Sequence, residues 1–272
     1  MRRSPARAKP VSIAVAVAFS LAVAGCSSIS QKVSNITTGS TERSQARSPD
    51  SMSARDLAAE TDRVGRAYAR DPKDKSVAMR YASVLQMSGH VDQSLAVMRK
   101  LAIAYPKDRG VLAAYGKALA AAGEFEPALD AVRRAQTPEY PDWRLLSAEG
   151  AILDQIGEPE AARKRYNRAL ELQPEEPSIL SNLGMSYLLE GDLQAAEAQL
   201  RRAVEKPGAD SRVRQNLALV IGLQGRFDQA ERIARQELSP EQAEANMAYL
   251  RDMLAQNDSW ERIAREDSGR NG

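Results

Sequence analysis

The chain has 272 residues, 43% hydrophobic, 27% charged and only 5% aromatic, long enough for one or two domains with a buried core and richer in helix formers than in sheet formers. One cysteine, Cys26, and one histidine, His90, exclude an intrachain disulfide, a cysteine-based zinc or iron–sulfur site and any mechanism that needs two histidines. Net charge is +2; residues 1–25 hold four basic residues (Arg2, Arg3, Arg7, Lys9) and no acid, so the rest carries slightly more acid than base and offers no general nucleic-acid-binding surface.

Met1–Pro10 reads as a basic leader and Val11–Ala24 as an apolar run. That run is short for a membrane span, which needs about 20 residues, and suits the h-region of a secretory signal. Val23-Ala24-Gly25 places small residues directly before Cys26. This resembles the bacterial lipobox, which implies cleavage before Cys26, lipid on its thiol and new amino group, and a membrane anchor. Ser27 rather than Asp at the next position implies, by enterobacteria-like sorting, the outer membrane. Residues 27–52 are rich in Ser and Thr and poor in large apolar side chains, too polar to offset the entropy of ordering. They are expected to form a flexible tether that spans roughly 30 Å.

Ala54–Arg70 has apolar residues at Leu57, Val64 and Ala67 and stops before Asp71-Pro72. Within residues 53–74 this predicts an N-terminal half-repeat helix. From 75 to 240 the chain repeats. Gly89, Gly123, Gly157, Gly191 and Gly225 are 34 residues apart each time. With that glycine as repeat position 15, position 8 holds Ala82, Gly116, Gly150, Gly184 and Ala218, and position 20 holds Ser94, Ala128, Ala162, Ala196 and Ala230. Position 11 holds Leu85, Leu119, Leu153, Tyr187 and Ile221. Each unit therefore predicts two antiparallel helices. Glycine ends the first helix because it accepts a left-handed backbone at little cost. Small residues at positions 8 and 20 let the pair approach, and large ones at 11, 17 and 24 fill the space between neighbouring pairs. Proline at Pro72, Pro106 and Pro174 stops the second helix. A single pair cannot bury its apolar face, so the units must stack. Two departures stand out. Unit two ends in Thr137-Pro138-Glu139-Tyr140-Pro141, and unit three has Pro159 where a large residue belongs, which predicts a late start for its second helix.

These columns, and above all Ser181–Val204, SNLGMSYLLEGDLQAAEAQLRRAV, are similar to the tetratricopeptide repeat. The resemblance implies an all-α, right-handed superhelical solenoid of about five repeats with flanking capping helices. Ser239-Pro240-Glu241 opens the last helix with Ser as N-cap and Pro at the first position. It is expected to run to Gln256 with Ala245, Tyr249, Met253 and Leu254 on its apolar face, capping the last repeat within residues 241–272, and Ser268–Gly272 is expected to fray.

Repeat positions 2, 5, 6, 9, 12 and 13 face the inside of such a solenoid in the family this chain resembles. Position 6 holds Asn182 and Asn216, one period apart, and carboxamides in register can bond a peptide backbone as both donor and acceptor. Met185, Leu188, Leu189, Leu219 and Leu223 lie beside them as candidates to receive apolar side chains; the alternative is that these residues pack the core. Arg99, Arg133, Arg201 and Arg235, with Lys100, Arg134, Arg168 and Arg202, form basic columns on the second helices that read better as a solvated face than as an anion stripe. His90 falls in a turn and reads as solvent-exposed. No phosphate-binding loop, no nucleophile elbow and no H-E-x-x-H motif occurs, so no enzyme activity, cofactor or metal is expected. A concealed active site would need a buried cluster of ionisable groups.

The ending Asn246-Met247-Ala248-Tyr249-Leu250-Arg251, then Met253-Leu254-Ala255-Gln256 and Trp260, resembles the lipoprotein of tight-adherence (Flp) pilus assembly, the TadD family. That resemblance implies a non-catalytic, pilotin-like assembly factor on the periplasmic face of the outer membrane. It would bind a protein partner, the pilus secretin or another pilus assembly component, and touch the membrane through its lipid. An adaptor for cell-wall enzymes or outer-membrane protein assembly shares the same plan.

Overall fold

Helix starts in this chain are set by a capping column with the repeat's own period. Asp74, Asp108, Asp142, Glu176 and Asp210 each stand just before a first helix and accept hydrogen bonds from backbone N–H groups inside it. These side chains satisfy donors that a helix N-terminus leaves unpaired. The computed structural model describes residues 53–137 and 139–270, with side chains placed as far as residue 256. The signal, Cys26 and the tether lie outside the described residues.

The described residues form twelve helices: α1 (Ala54–Arg70), α2 (Lys75–Met87), α3 (Val91–Ala104), α4 (Arg109–Ala121), α5 (Phe125–Ala135), α6 (Trp143–Gln155), α7 (Pro159–Leu172), α8 (Pro177–Leu189), α9 (Leu193–Val204), α10 (Ser211–Leu223), α11 (Phe227–Ala234) and α12 (Pro240–Arg270). The only extended pairing among them is an isolated antiparallel bridge between Thr137 and Tyr140, in the loop where unit two departs from the repeat. The helices pack in consecutive pairs: α2 with α3, α4 with α5, α6 with α7, α8 with α9, α10 with α11. At every first-helix end the position-15 glycine takes a positive φ, from 77° to 82°, where a side chain would be strained.

Position 8 is small because position 24 is large. A Cβ on Gly116 would stand 2.6 Å from Val132 Cγ2, on Gly150 2.7 Å from the ring of Tyr166, and on Gly184 2.8 Å from Leu200 Cγ. Position 24 thus fills the seam within a pair. The space between pairs is filled by position 11: Leu85, Leu119, Leu153 and Ile221 are all buried.

Two expectations about helix ends are corrected. Unit three's second helix does not start late. It begins at Pro159 itself, in phase with Phe125, Leu193 and Phe227, because a first-turn residue has no intrahelical N–H bond to lose. The last helix is 31 residues long and continues to Arg270, well past Gln256 and through most of the segment expected to fray. Its buried face is Ala243, Met247 and Leu250, whereas Tyr249 is 66% exposed and Ala245 is also exposed. The true stripe is offset by two residues at its start, set by Ala243 docking against Ala218 and Ala234. A reciprocal cap starts α12. Gln242 N–H donates to Ser239 Oγ at 3.3 Å, and Ser239 N–H donates to Gln242 Oε1 at 3.1 Å, the capping-box arrangement.

Candidate functional site

First helices touch their counterparts in the next unit, α2 with α4, α4 with α6, α6 with α8 and α8 with α10, and α10 touches α12. Second helices make no comparable series. The first helices therefore crowd together and form the inner face, and the candidate site lies on α8 and α10.

Asn182 and Asn216 are half-buried there. Each reaches back to the preceding unit: Asn182 Nδ2 donates to Ser147 Oγ at 3.0 Å, and Asn216 Nδ2 donates to Ser181 Oγ at 3.0 Å. Both serines are buried. The carboxamides thus commit their donor end to the joint between units, and their Oδ1 atoms make no protein hydrogen bond among the described residues. The structure brings Leu188, Leu219 and Leu223 together as half-buried residues against a cluster that includes Leu217, Ile221, Met247 and Leu250. They serve the core with one side and line the face with the other. Met185 is half-buried, and Leu189 is 61% exposed, the most accessible large apolar residue of the set. The face can therefore offer apolar contact and paired acceptors to an extended segment.

Sequence reading missed the serine partners, although an offset of one period plus one residue links Ser147 to Asn182 and Ser181 to Asn216. It also missed two acids, Glu149, which is buried, and Asp154, which is half-buried. Glu149, 2% exposed, accepts from Arg133 Nε at 2.8 Å and from Gln136 Nε2 at 3.2 Å and pairs with Arg165 at 3.1 Å. Asp154 accepts from Tyr166 Oη at 2.8 Å and Ser186 Oγ at 2.7 Å. Burial pushes its carboxyl above the ordinary value, and the same burial, with the neighbouring Asp154, pushes the Tyr166 hydroxyl far up. One buried and one half-buried ionisable cluster are therefore present. In both, each carboxylate oxygen is already bonded to a side chain, an arrangement that ties α6 to its neighbours.

The basic columns are largely matched by acids. Arg99 pairs with Glu124 at 2.5 Å, Arg134 with Asp130 at 3.2 Å, Arg201 with Glu197 at 2.7 Å and Arg235 with Glu231 at 2.5 Å; Arg168 pairs with Glu171. His90 is exposed and caps nothing through its side chain. Among the described residues no group of His, Cys, Asp or Glu has the geometry of a metal site, and no helix is long and apolar enough to cross a membrane.

Residues 148–211 and 211–236 match sequence profiles of the tetratricopeptide repeat. No curated protein sequence matches the chain. Solved structures do. PilW, a widely conserved type IV pilus biogenesis factor, matches with TM-score 0.57 and 20% identity over 74% of this chain and 91% of its own. PilF of Pseudomonas aeruginosa matches with TM-score 0.50 and 19% identity over 66% and 82%. A thermophilic tetratricopeptide-repeat protein of Thermus thermophilus matches with TM-score 0.54 and 23% identity over 64% and 96%. At such identities the likeness establishes the fold. The repeat profiles over residues 148–236, the consecutive helix-pair packing and the solved neighbours agree on a tetratricopeptide-repeat solenoid, all-α among the described residues apart from one isolated bridge.

Proposed function

We propose that this chain is a lipid-anchored, non-catalytic scaffold for pilus assembly of the tight-adherence type, in the manner of a pilotin, on the periplasmic face of the outer membrane. The observation that carries the reading is the inner face of α8 and α10. There Leu189 is exposed two turns along α8 from Asn182, whose carboxamide is held as that of Asn216 is one unit on. A face of this kind grips an extended protein segment through its backbone with little demand on its sequence. Lipid on Cys26 would supply location and residues 27–52 would supply reach. Tethering raises local concentration, so a weak grip suffices. The resemblance of the C-terminal segment to the TadD lipoproteins supports the pilus setting, and so does a fold shared with a type IV pilus biogenesis factor.

The test is to delete the gene, and in a second strain to introduce Cys26→Ala. The readout is the heat-resistant secretin multimer in the outer membrane, followed by fractionation and immunoblot. Loss of multimer in both strains supports a lipid-dependent pilotin acting on the secretin. Unchanged multimer in both strains overturns the pilotin reading in favour of an adaptor for cell-wall enzymes.

A further inference from the structure

Repeat position 7 is a core column. It holds Tyr81, Tyr115, Glu149, Leu183 and Leu217, and both leucines are 4% exposed. Packing gives no reason for a carboxylate in unit three, where leucine would serve. Burying an ion costs several kcal/mol unless it is paired. One guanidinium would supply the charge, yet two are present. Arg133 comes from α5 and Arg165 from α7, the second helices of adjacent units, and both make their closest approach through Nε to the same oxygen, Glu149 Oε1, at 2.8 and 3.1 Å. Gln136 holds the other oxygen.

This arrangement leaves charge and donors unspent. Two cations share one anion, so the cluster of Arg133, Arg165 and Glu149 carries one excess positive charge. Among the described residues neither arginine donates a further side-chain hydrogen bond, and the side chains of Arg133 and Arg165 are 51% and 44% exposed. Among the described residues neither has a second acid within ion-pair distance. Asp130, three residues before Arg133 on α5, is paired with Arg134. A buried anchor also keeps the two forks side by side, which removes the ordering cost that a free pair of arginines would meet on binding.

We propose that Arg133 and Arg165, fixed by Glu149, form a carboxylate receptor on the second-helix side of the solenoid, occupied by an acidic side chain of a protein partner. Guanidinium forks match planar carboxylates in bidentate geometry. A second carboxylate balances the pair of cations. The receptor lies on the opposite helices from the inner face and does not depend on it. A protein with both surfaces can hold two segments at once.

The test uses the full chain at low ionic strength, with the arginine Nε–Hε signals followed by NMR during titration with hexaglutamate, and with hexaglutamine and sodium phosphate as controls. Hexaglutamate should move the Arg133 and Arg165 signals, and hexaglutamine should not. Arg165→Gln should weaken the interaction about tenfold. Glu149→Gln removes the competing charge while its amide oxygen still accepts from the two Nε groups, and should tighten binding several-fold, whereas disruption of a purely structural network would weaken it. Arg165→Lys, which keeps the charge and loses the fork, replaces Arg165→Gln if circular dichroism shows that variant to be unfolded, and should also weaken binding. The proposal is overturned if hexaglutamate leaves both signals in place, if the Arg165 variant binds it as tightly as the parent, or if phosphate alone moves them.

Discussion

Asn216 on α10 donates from Nδ2 to Ser181 Oγ on α8 at 3.0 Å, and the same bond recurs one unit earlier between Asn182 and Ser147. The two clasps join three successive units along the inner face, and they fix the direction in which each carboxamide oxygen points. Because Ser181 is buried, removing its partner leaves a polar group without water or protein. Asn216→Ala and Ser181→Ala should each cost about 1 kcal/mol. The double variant should cost little more than either, since both changes break one bond. A double-mutant cycle in urea unfolding checks this. Full additivity would mean that the two side chains do not act as a pair.

Gly150→Ala should be the more damaging change. Its Cβ would come within 2.7–2.9 Å of three ring atoms of Tyr166, which is 1% exposed and held by Asp154. The ring has nowhere to go without giving up that bond, so overpacking of about 2–3 kcal/mol is expected. Gly157→Ala should cost only about 1 kcal/mol, because nothing lies within 4 Å and the penalty comes from φ of +81°. Thermal unfolding of the two variants should rank them in that order.

The repeats were legible because their constraints recur. A glycine that must take a positive φ, and a small residue that must face a large one, leave the same mark every 34 residues. The capping column from Asp74 to Asp210 recurs equally, but carboxylates are so common along these helices that it does not stand out by residue type. Features without a copy were harder to read. The phase of α12 is set by Ala243 meeting Ala218 and Ala234, a tertiary contact that its own sequence does not encode. Pro159 stands at position 17, which is both a packing position and the first turn of a helix, and the second role decides. For the candidate site, types and register were readable in Asn182, Asn216 and the leucines. The serines that hold the amides, and the acids Glu149 and Asp154, act through neighbours far away in sequence.

Glu60 and Asp154 should pull stability in opposite directions with pH. Glu60 on α1 bonds Arg63 and Arg80, and its carboxyl is held down to about 2 from an ordinary 4.5, chiefly by Arg63. Its contribution is present above pH 4.5 and is lost as pH falls towards 2. Asp154 is raised above 3.8 by burial, so stability is fully present below that value and lost as pH rises through its folded pKa. The deficit of Glu60→Gln relative to the parent should therefore shrink between pH 4.5 and 2. Asp154→Asn should gain on the parent as pH rises above 3.8. Paired urea titrations across pH 2–7 read both differences.

Leu250 closes the last repeat. It is 6% exposed, and Gly222 is bare because a Cβ there would meet Leu250 Cδ1 at 2.8 Å. Leu250→Ala should cost about 2–4 kcal/mol. In a stacked array where each unit leans mainly on its neighbours, the loss should fall on α10–α12 first. Hydrogen exchange should show those helices opening while α2–α5 keep their protection. Equal deprotection throughout would mean that the array unfolds as one block.

Leu189→Asp separates binding from folding. Leu189 ends α8 and is 61% exposed, so it contributes little to the core, and a charge at its position stays in water. Stability should change by no more than about 0.5 kcal/mol. The same charge would meet any apolar side chain brought to the inner face and would have to be desolvated to admit it. If the α8–α10 face grips the partner, cells carrying Leu189→Asp should lose secretin multimer as the Cys26→Ala strain does, with the protein present at normal level. A multimer unaffected by Leu189→Asp but lost with Cys26→Ala would place the grip elsewhere on the repeats. The next residues to change would then be Arg133 and Arg165, on the opposite helices.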